Sequence, residues 1–140
     1  MIEQWYLGNI QMLWQVWPVE YDDGAFTWIK ISHFDLPPVY YKDNSTLLFL
    51  TPGYNIQNFE DYHFFVDRDL MRQDGIDPPF VHENHECNSL YRYGYARLSF
   101  HLKSFRPTTD VVSGDNYLKL AKAVYHFLGQ EEVYENEDNI

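Results

Sequence analysis

Three polar residues that alternate with apolar ones in the last third of the chain could together do chemistry. Arg97, Ser99 and His101 are separated by Leu98 and Phe100, a period of two that is typical of a half-buried strand. Side chains two residues apart on a strand share a face, with their Cα atoms roughly 7 Å apart. The imidazole of His101 could therefore take the proton of the Ser99 hydroxyl, which is unreactive without a base. Arg97 could stabilise the negative charge that develops in such a reaction.

The same alternation has a plainer interpretation. The solvated face of an antiparallel strand is normally polar, so the three residues could simply face water while Leu98, Phe100 and Leu102 face the core. Periodicity predicts which side is buried in either case. It does not decide between a catalytic row of side chains and an ordinary solvent-exposed face, and both interpretations stay open here.

A second group of reactive side chains precedes this row. His82, His85 and Cys87 carry groups that bind zinc, but the spacing H-x-x-H-x-C is not a standard structural zinc arrangement and needs a distant fourth ligand. We predict no metal site and no cofactor. Cys87 could instead be a nucleophile if nearby cations lowered its pKa, whereas the neighbouring carboxylates of Glu83 and Glu86 would raise it.

Strand signals in the first half of the chain predict an antiparallel sheet. A hairpin is expected over residues 12–31, with an Asp-Gly turn at residues 21–24. Pro18 confines its first strand to an edge or marks a bulge in it. Residues 46–50 and 62–66 predict two further strands. The first of these is apolar on both faces, as expected of a central strand.

The remainder of the chain predicts a long loop, one more strand and a helix. Residues 67–89 are polar and contain Gly and Pro, so we expect a long surface loop, and loops of that length are often functional. Residues 95–102 predict the strand that carries the reactive row. Asp115 is the expected N-cap of a helix that ends at Gly129. Residues 5–10 fit either a helical turn or an irregular lead-in.

These elements predict one domain of the α+β class. A chain of 140 residues suits a single domain, which we place at residues 1–130. The expected architecture is an antiparallel β-meander with a long crossing loop and a C-terminal helix packed on one side. Residues 131–140 hold five carboxylates and are expected to form an acidic tail.

Charge and composition limit the classes of partner. The chain has 21 acidic and 10 basic side chains, for a formal net charge of −11. Such a charge repels phosphate backbones and anionic headgroups, so we expect no nucleic-acid partner and no membrane partner. A basic protein, or a basic patch on one, is the natural complement. The 12 Tyr, 10 Phe and 4 Trp indicate a folded domain rather than a disordered segment.

The cellular compartment is predicted from cysteine use and from the start of the chain. Cys87 has no second cysteine to pair with, which fits a reducing compartment. No basic region precedes an apolar stretch at the start, and no apolar run reaches 18 residues. We therefore expect neither a signal peptide nor a membrane span, and a cytoplasmic location.

The order of proline, glycine and aromatic motifs resembles that of the ubiquitin-conjugating-enzyme (UBC) fold. More closely, it is similar to the prokaryotic branch called family E of that superfamily. The segments that carry the resemblance are LPP at 36–38 with Tyr40 or Tyr41, LTPGY at 50–54 with residues 61–65, SFH at 99–101 and FRP at 105–107. Together they span roughly residues 12–128.

The resemblance implies a UBC-like meander with a long active-site loop, and an activity that carries a ubiquitin-like protein as an acyl intermediate. The implied partners are that ubiquitin-like protein and an adenylating activating enzyme, in bacterial operons linked to phage defence that often encode a JAB-type peptidase. With it we predict Ser99, His101, Arg97 and Cys87 as catalytic groups and Tyr54 and Asn84 as partner-binding residues. The dense aromatic residues could be core or a docking surface, and from these we predict Trp5 and Trp14 as exposed partner contacts.

The chain departs from the family pattern at the catalytic thiol. HEN at residues 82–84 only loosely matches a His-Pro-Asn motif, and no cysteine lies shortly before Phe105. Three outcomes follow. Ser99 could carry an oxyester with His101 as base, Cys87 could reach the site from its loop, or the chain could be an inactive relative that only binds its partner.

A different class of function fits the composition equally. Small acidic immunity or adaptor proteins neutralise basic toxins through electrostatic complementarity, with no conjugation chemistry. The excess of carboxylates and the dense aromatic residues are compatible with that role.

Overall fold

The computed structural model describes residues 2–81 and 86–130, except for the side chains of residues 86–89. Two 3-10 helices, Phe59–Asp61 and Glu86–Tyr93, accompany two α-helices and five β-strands. In chain order the α-helices and strands are α1 (Ile2–Trp14), β1 (Val19–Tyr21), β2 (Trp28–Asp35), β3 (Asn44–Leu50), β4 (His63–Asp67), β5 (Tyr95–Arg97) and α2 (Tyr117–Leu128).

The five strands form one antiparallel sheet in which every strand pairs with its neighbours in the chain. The predicted α+β class and the predicted meander are confirmed. The strand after Pro18 is β1 at one edge, and the doubly apolar strand is β3 in the centre, both as expected. A register shift between Ile31 and Phe34 marks an irregularity in the β2–β3 pairing.

Both helices pack on one face of the sheet. Alternate residues of the strands face them, because successive side chains point to opposite sides. This core is rich in aromatic rings and includes Tyr6 and Leu13 of α1, Ile31, Leu47, Phe49, Phe64 and Val66 of the sheet, and Tyr117, Leu120 and Val124 of α2.

The first helix is longer than the sequence predicts. The predicted hairpin from residue 12 is wrong in its first part, because α1 continues to Trp14 and β1 has only three residues. The buried residues of α1 follow helical spacing: Trp5, Tyr6, Asn9, Ile10 and Leu13. The Leu13 carbonyl accepts from the amides of Val16 and Trp17, which closes the helix before Pro18.

The second helix begins one residue later than predicted. Asn116, not Asp115, is the N-cap, and its side chain accepts from the Lys119 amide at 2.9 Å. The carboxylate of Asp115 instead accepts from the Arg106 amide at 2.8 Å. The helix ends at Gly129 as predicted.

The predicted strand at residues 95–102 is shorter in the structure. β5 ends at Arg97, and Leu98 adds a single bridge to Phe80. The predicted alternation of burial nevertheless continues, since Leu98, Phe100 and Leu102 are all buried. Within the described ranges, neither α-helix has the length and apolar character needed to cross a bilayer.

Candidate functional site

The row of Arg97, Ser99 and His101 lies at the edge of the sheet, beside the end of the long loop. The Val81 amide donates to the Arg97 carbonyl at 2.8 Å, and the Ser99 amide donates to the Pro79 carbonyl at 2.9 Å. The loop therefore extends the sheet past β5. Arg97 and Ser99 are half-buried there and His101 is exposed, so the row flanks the end of the loop.

Ser99 and His101 do not form a hydrogen-bonded pair in the described part of the chain. The Ser99 hydroxyl donates to the Pro79 carbonyl at 3.2 Å. A serine nucleophile needs its proton directed at a base, and a carbonyl oxygen cannot act as one. Activation of Ser99 would require this hydrogen bond to break first.

The imidazole that contacts the row belongs to His63 of β4, a residue that the sequence does not single out. Its Nδ1 lies 3.1 Å from Nη2 of Arg97. A guanidinium has only donors, so Nδ1 accepts and a neutral His63 carries its proton on Nε2. The signal that could have found this contact is strand register: Phe65 pairs with Arg97, which puts His63 two residues away on the same face.

Burial is the largest cause of the lowered pKa of His63. The charge of Arg97 lowers this pKa further and His101 adds to the effect, whereas Asp61 acts in the opposite direction. In the cluster of His63, Arg97 and His101, the uncharged imidazole of His63 is thus held against the cation of Arg97. Such an arrangement can accept a hydrogen bond from Arg97 and offer Nε2–H as a donor.

Two predicted site residues fall wholly or partly outside the described residues. Asn84 lies wholly outside them, as do His82 and His85 of the second group of reactive side chains. Cys87 lies in the 3-10 helix Glu86–Tyr93, and its side chain is not described. That helix packs against β5, so the backbone of Cys87 belongs to an element adjoining the strand of Arg97. Among the described residues no cluster of ligands suits a metal ion.

Trp5 is not an exposed partner contact, contrary to prediction. It is 6% exposed, because α1 turns it into the core, where its ring makes edge contacts with Tyr6, Phe105 and Tyr117. What remains of its surface lines a cleft of about 550 Å³ between α1 and residues 107–111. Trp14, in contrast, is 54% exposed at the end of α1.

Tyr54 is 53% exposed and lies close to the turn between β1 and β2. Its hydroxyl is 3.5 Å from the Gly24 carbonyl. Trp28, the first residue of β2, is 36% exposed at the same end of the sheet. We call the exposed side chains of Glu20, Asp23, Trp28 and Tyr54 the hairpin-end surface.

The backbone beneath the hairpin-end surface is held by one carboxylate. Asp22 accepts hydrogen bonds from the Gly24, Ala25 and Thr27 amides at 3.0 to 3.2 Å, and also from the Thr27 hydroxyl. The hydrogen bonds from Thr27 are the main reason that the pKa of Asp22 is lowered to about 2. Charged at neutral pH, Asp22 therefore fixes the whole turn.

Comparison with known proteins gives no match: no family model, no curated protein and no solved structure is similar to this chain. The resemblance to ubiquitin-conjugating enzymes consequently stays a prediction from sequence motifs.

Proposed function

We propose that the chain is a protein-binding module for a partner with a basic surface, and that the hairpin-end surface is where the partner docks. The observation that carries this proposal is the exposure of Trp28 and Tyr54 beside a turn that Asp22 fixes. Tryptophan and tyrosine are the side chains most enriched among residues that dominate binding energy.

Rigidity and charge support the same function. A turn that is already ordered pays little further entropy when a partner binds. Glu20 and Asp23 are exposed carboxylates of the same hairpin, and Glu20 also forms an ion pair with Lys30 of β2 at 3.6 Å. The net charge of −11 would also speed encounter with a basic protein through long-range attraction.

The predicted resemblance narrows the partner to a ubiquitin-like protein or its adenylating enzyme. Support for this part of the proposal comes from the order of the elements. A sequential meander, a Pro-Gly-Tyr turn after the central strand, a long loop and a trailing helix are the features expected of a UBC-like chain. In this role the chain is the inactive relative that positions its partner.

Calorimetric titration tests the binding proposal. The chain is titrated with the ubiquitin-like protein and with the activating enzyme of the same genome, without ATP. We expect Trp28→Ala and Tyr54→Ala each to weaken binding about 30-fold, equivalent to about 2 kcal/mol for a dominant contact. Tyr93→Ala, which removes an exposed tyrosine elsewhere, and Ser99→Ala should leave the affinity unchanged.

Unchanged affinity in both aromatic variants would show that the partner binds at another surface. Absence of binding to either protein would contradict a role in conjugation. Tight binding to a basic toxin encoded beside the gene would then favour the immunity function instead.

A second candidate function, acyl carriage, is favoured by one observation. The 3-10 helix that contains Cys87 leads directly into β5, the strand of Arg97, so the backbone of the only cysteine belongs to the element next to the polar row. Ser99 is the less favourable of the two candidate nucleophiles, because its hydroxyl proton is held in the hydrogen bond to the Pro79 carbonyl.

Incubation with the ubiquitin-like protein, the activating enzyme and ATP separates these chemistries. A covalent adduct that thiols cleave and that Cys87→Ala abolishes would be a thioester. An adduct that resists thiols and is lost in Ser99→Ala would be an oxyester. If the wild-type chain forms no adduct while it binds its partner, the binding function stands alone.

A further inference from the structure

A groove of about 470 Å³ lies between the end of α1 and the second half of α2. Carbon atoms of Val16 and Trp17 line one side, and Ala121 and Tyr125 of α2 line the other. Val16 is 52% exposed although it is aliphatic. Water therefore contacts apolar surface here that a bound segment could cover.

The polar groups at the groove differ between its two sides. Lys122 and His126 are exposed on the α2 side and offer a positive charge and an imidazole donor. Asp35 is the lining carboxylate among the described residues, and it accepts from the Trp17 indole at 3.1 Å. The α2 side of the groove, which lies away from Asp35, is thus suited to a segment that is both apolar and acidic.

The chain leaves α2 at the mouth of this groove. Gly129 packs against Pro37, since a Cβ atom added there would lie 3.3 Å from the proline ring, and Pro37 is two residues from Asp35. The Gln130 carbonyl accepts from Arg72 Nη1 at 2.7 Å, which fixes the exit point. Because a helix rises about 1.5 Å per residue, His126 lies only about 5 Å from Gly129 along the axis.

We propose that the α1–α2 groove binds residues 131–135 of the same chain. This segment has the sequence EEVYE, so it combines two apolar residues, Val133 and Tyr134, with three carboxylates. Five extended residues span about 17 Å, which is enough to cross from the exit point over the groove. Tethering gives the segment a high effective concentration, so weak contacts suffice. The site consequently recognises a short acidic peptide with one aromatic residue, and a partner peptide of that kind would compete with the tail.

Paramagnetic broadening in NMR spectra of the full chain tests this proposal. Cys87 is the only cysteine, so Cys87→Ser with Asn136→Cys allows a nitroxide to be attached to the tail alone. We expect loss of the amide signals of Lys122 and His126 and of the Trp17 indole signal, with the Gly75 signal retained. Lys122→Glu, Tyr134→Ser or 1 M salt, where charges are screened within about 3 Å, should each restore the signals.

Broadening that none of these changes reverses would overturn the proposal, because it would reflect only the closeness of the tether. Broadening of isotope-labelled chains by spin-labelled, unlabelled ones would also overturn it in favour of a second copy. If the Cys87→Ser variant does not fold, a second measurement that keeps Cys87 tests the proposal. The Trp17 indole signal should shift between the wild-type chain and Tyr134→Ser, and should not shift in the surface control Tyr93→Ser. An unmoved signal in Tyr134→Ser contradicts the proposal.

Discussion

Nη2 of Arg97 lies 3.1 Å from Nδ1 of His63, so a cation on the edge strand β5 donates to a neutral imidazole on β4. A proton on Nδ1 would remove the acceptor and set two positive charges against each other. Burial and Arg97 together lower the pKa of His63, and Asp61 offsets only part of the effect. The folded protein thus binds a proton at His63 more weakly than the unfolded chain does.

We expect the free energy of unfolding to fall as the pH falls below about 6.5. A histidine with a lowered pKa contributes its full stability above the unfolded value of 6.5 and loses it progressively toward the lower folded pKa. His63→Gln, which retains an acceptor for Arg97 without a titrating proton, should reduce this loss. Urea unfolding at pH values between about 5 and 8 measures it.

His126→Gln is the matched control, because His126 is exposed on α2. That variant should keep the acid-dependent loss of the wild-type chain. The groups that face His63 are Arg97, Asp61 and His101. An acid-dependent loss that persists undiminished in His63→Gln would show that another titrating group governs it.

Arg72 is a buried guanidinium that fixes the end of α2. It donates to the Leu128 and Gln130 carbonyls at 3.0 and 2.7 Å and forms a bidentate pair with Asp74. We expect Arg72→Met to lower the free energy of unfolding by roughly 1 to 3 kcal/mol, since it removes the charged hydrogen bonds to the two carbonyls and to Asp74, although the Leu128 carbonyl still accepts from the Tyr40 hydroxyl at 2.8 Å. Arg72→Lys should recover only part of this loss, because lysine cannot form the bidentate pair.

Arg92→Met provides the comparison for Arg72. Arg92 is exposed and lies over the ring of Tyr93, so its loss should change stability by less than about 0.5 kcal/mol. Both variants are measured by urea unfolding. Equal small effects would mean that the contacts of Arg72 with α2 add little to stability.

The strands were predictable from sequence because their pattern is local. Residues 46–50 and 62–66 are short apolar runs between turn residues, and no other element competes for them. The start of the chain was harder to interpret. Trp14 and Val16 favour strands by type, yet Trp14 ends a helix and Val16 lies in the turn that follows it. The buried face of that helix is set by contacts with Phe105 and Tyr117, far along the chain.

In the candidate site, too, local features were predictable from the sequence and features that depend on distant contacts were not. The polar row with Arg97 follows from a period of two along one segment, so its side of the strand was predictable. The contact of Arg97 with His63 depends on strand register and on a residue 34 positions away. The exposure of Trp28 and the burial of Trp5 also depend on which elements pack together, which residue type alone cannot tell.

Asn9 is a buried amide that joins the two helices. Its Oδ1 accepts from the Tyr117 amide at 2.7 Å, and its Nδ2 donates to the Trp5 carbonyl at 3.0 Å. We expect Asn9→Leu to lower the free energy of unfolding by about 1 to 3 kcal/mol, because the Tyr117 amide is left buried without an acceptor. Urea unfolding measures this loss, and Gln11→Leu, at an exposed position of α1, is the control.

Hydrogen exchange distinguishes this cause from a packing defect. The Tyr117 amide should lose its protection in Asn9→Leu, while amides in the middle of α2 keep theirs. Retained protection at Tyr117 together with a loss of stability would point to the shape of leucine instead.

Gly53 connects the central strand to the hairpin-end surface. Its φ of +62° lies in the left-handed region, and its carbonyl accepts from the buried hydroxyl of Tyr6. A Cβ atom there would be 3.5 Å from the Ala25 carbonyl oxygen, an ordinary contact, so backbone conformation alone sets the cost. We expect Gly53→Ala to lower the free energy of unfolding by about 1 kcal/mol, and Gly53→Asn by less, since asparagine tolerates this region better.

Gly24→Ala is the control for Gly53, because Gly24 is exposed and has no positive φ. It should change stability by less than about 0.5 kcal/mol in the same urea experiment. If alanine and asparagine at residue 53 cost the same, the loss comes from the altered turn rather than from φ. The turn would then be displaced in both variants, and since it carries Tyr54, both should weaken the binding of a basic partner as Tyr54→Ala does.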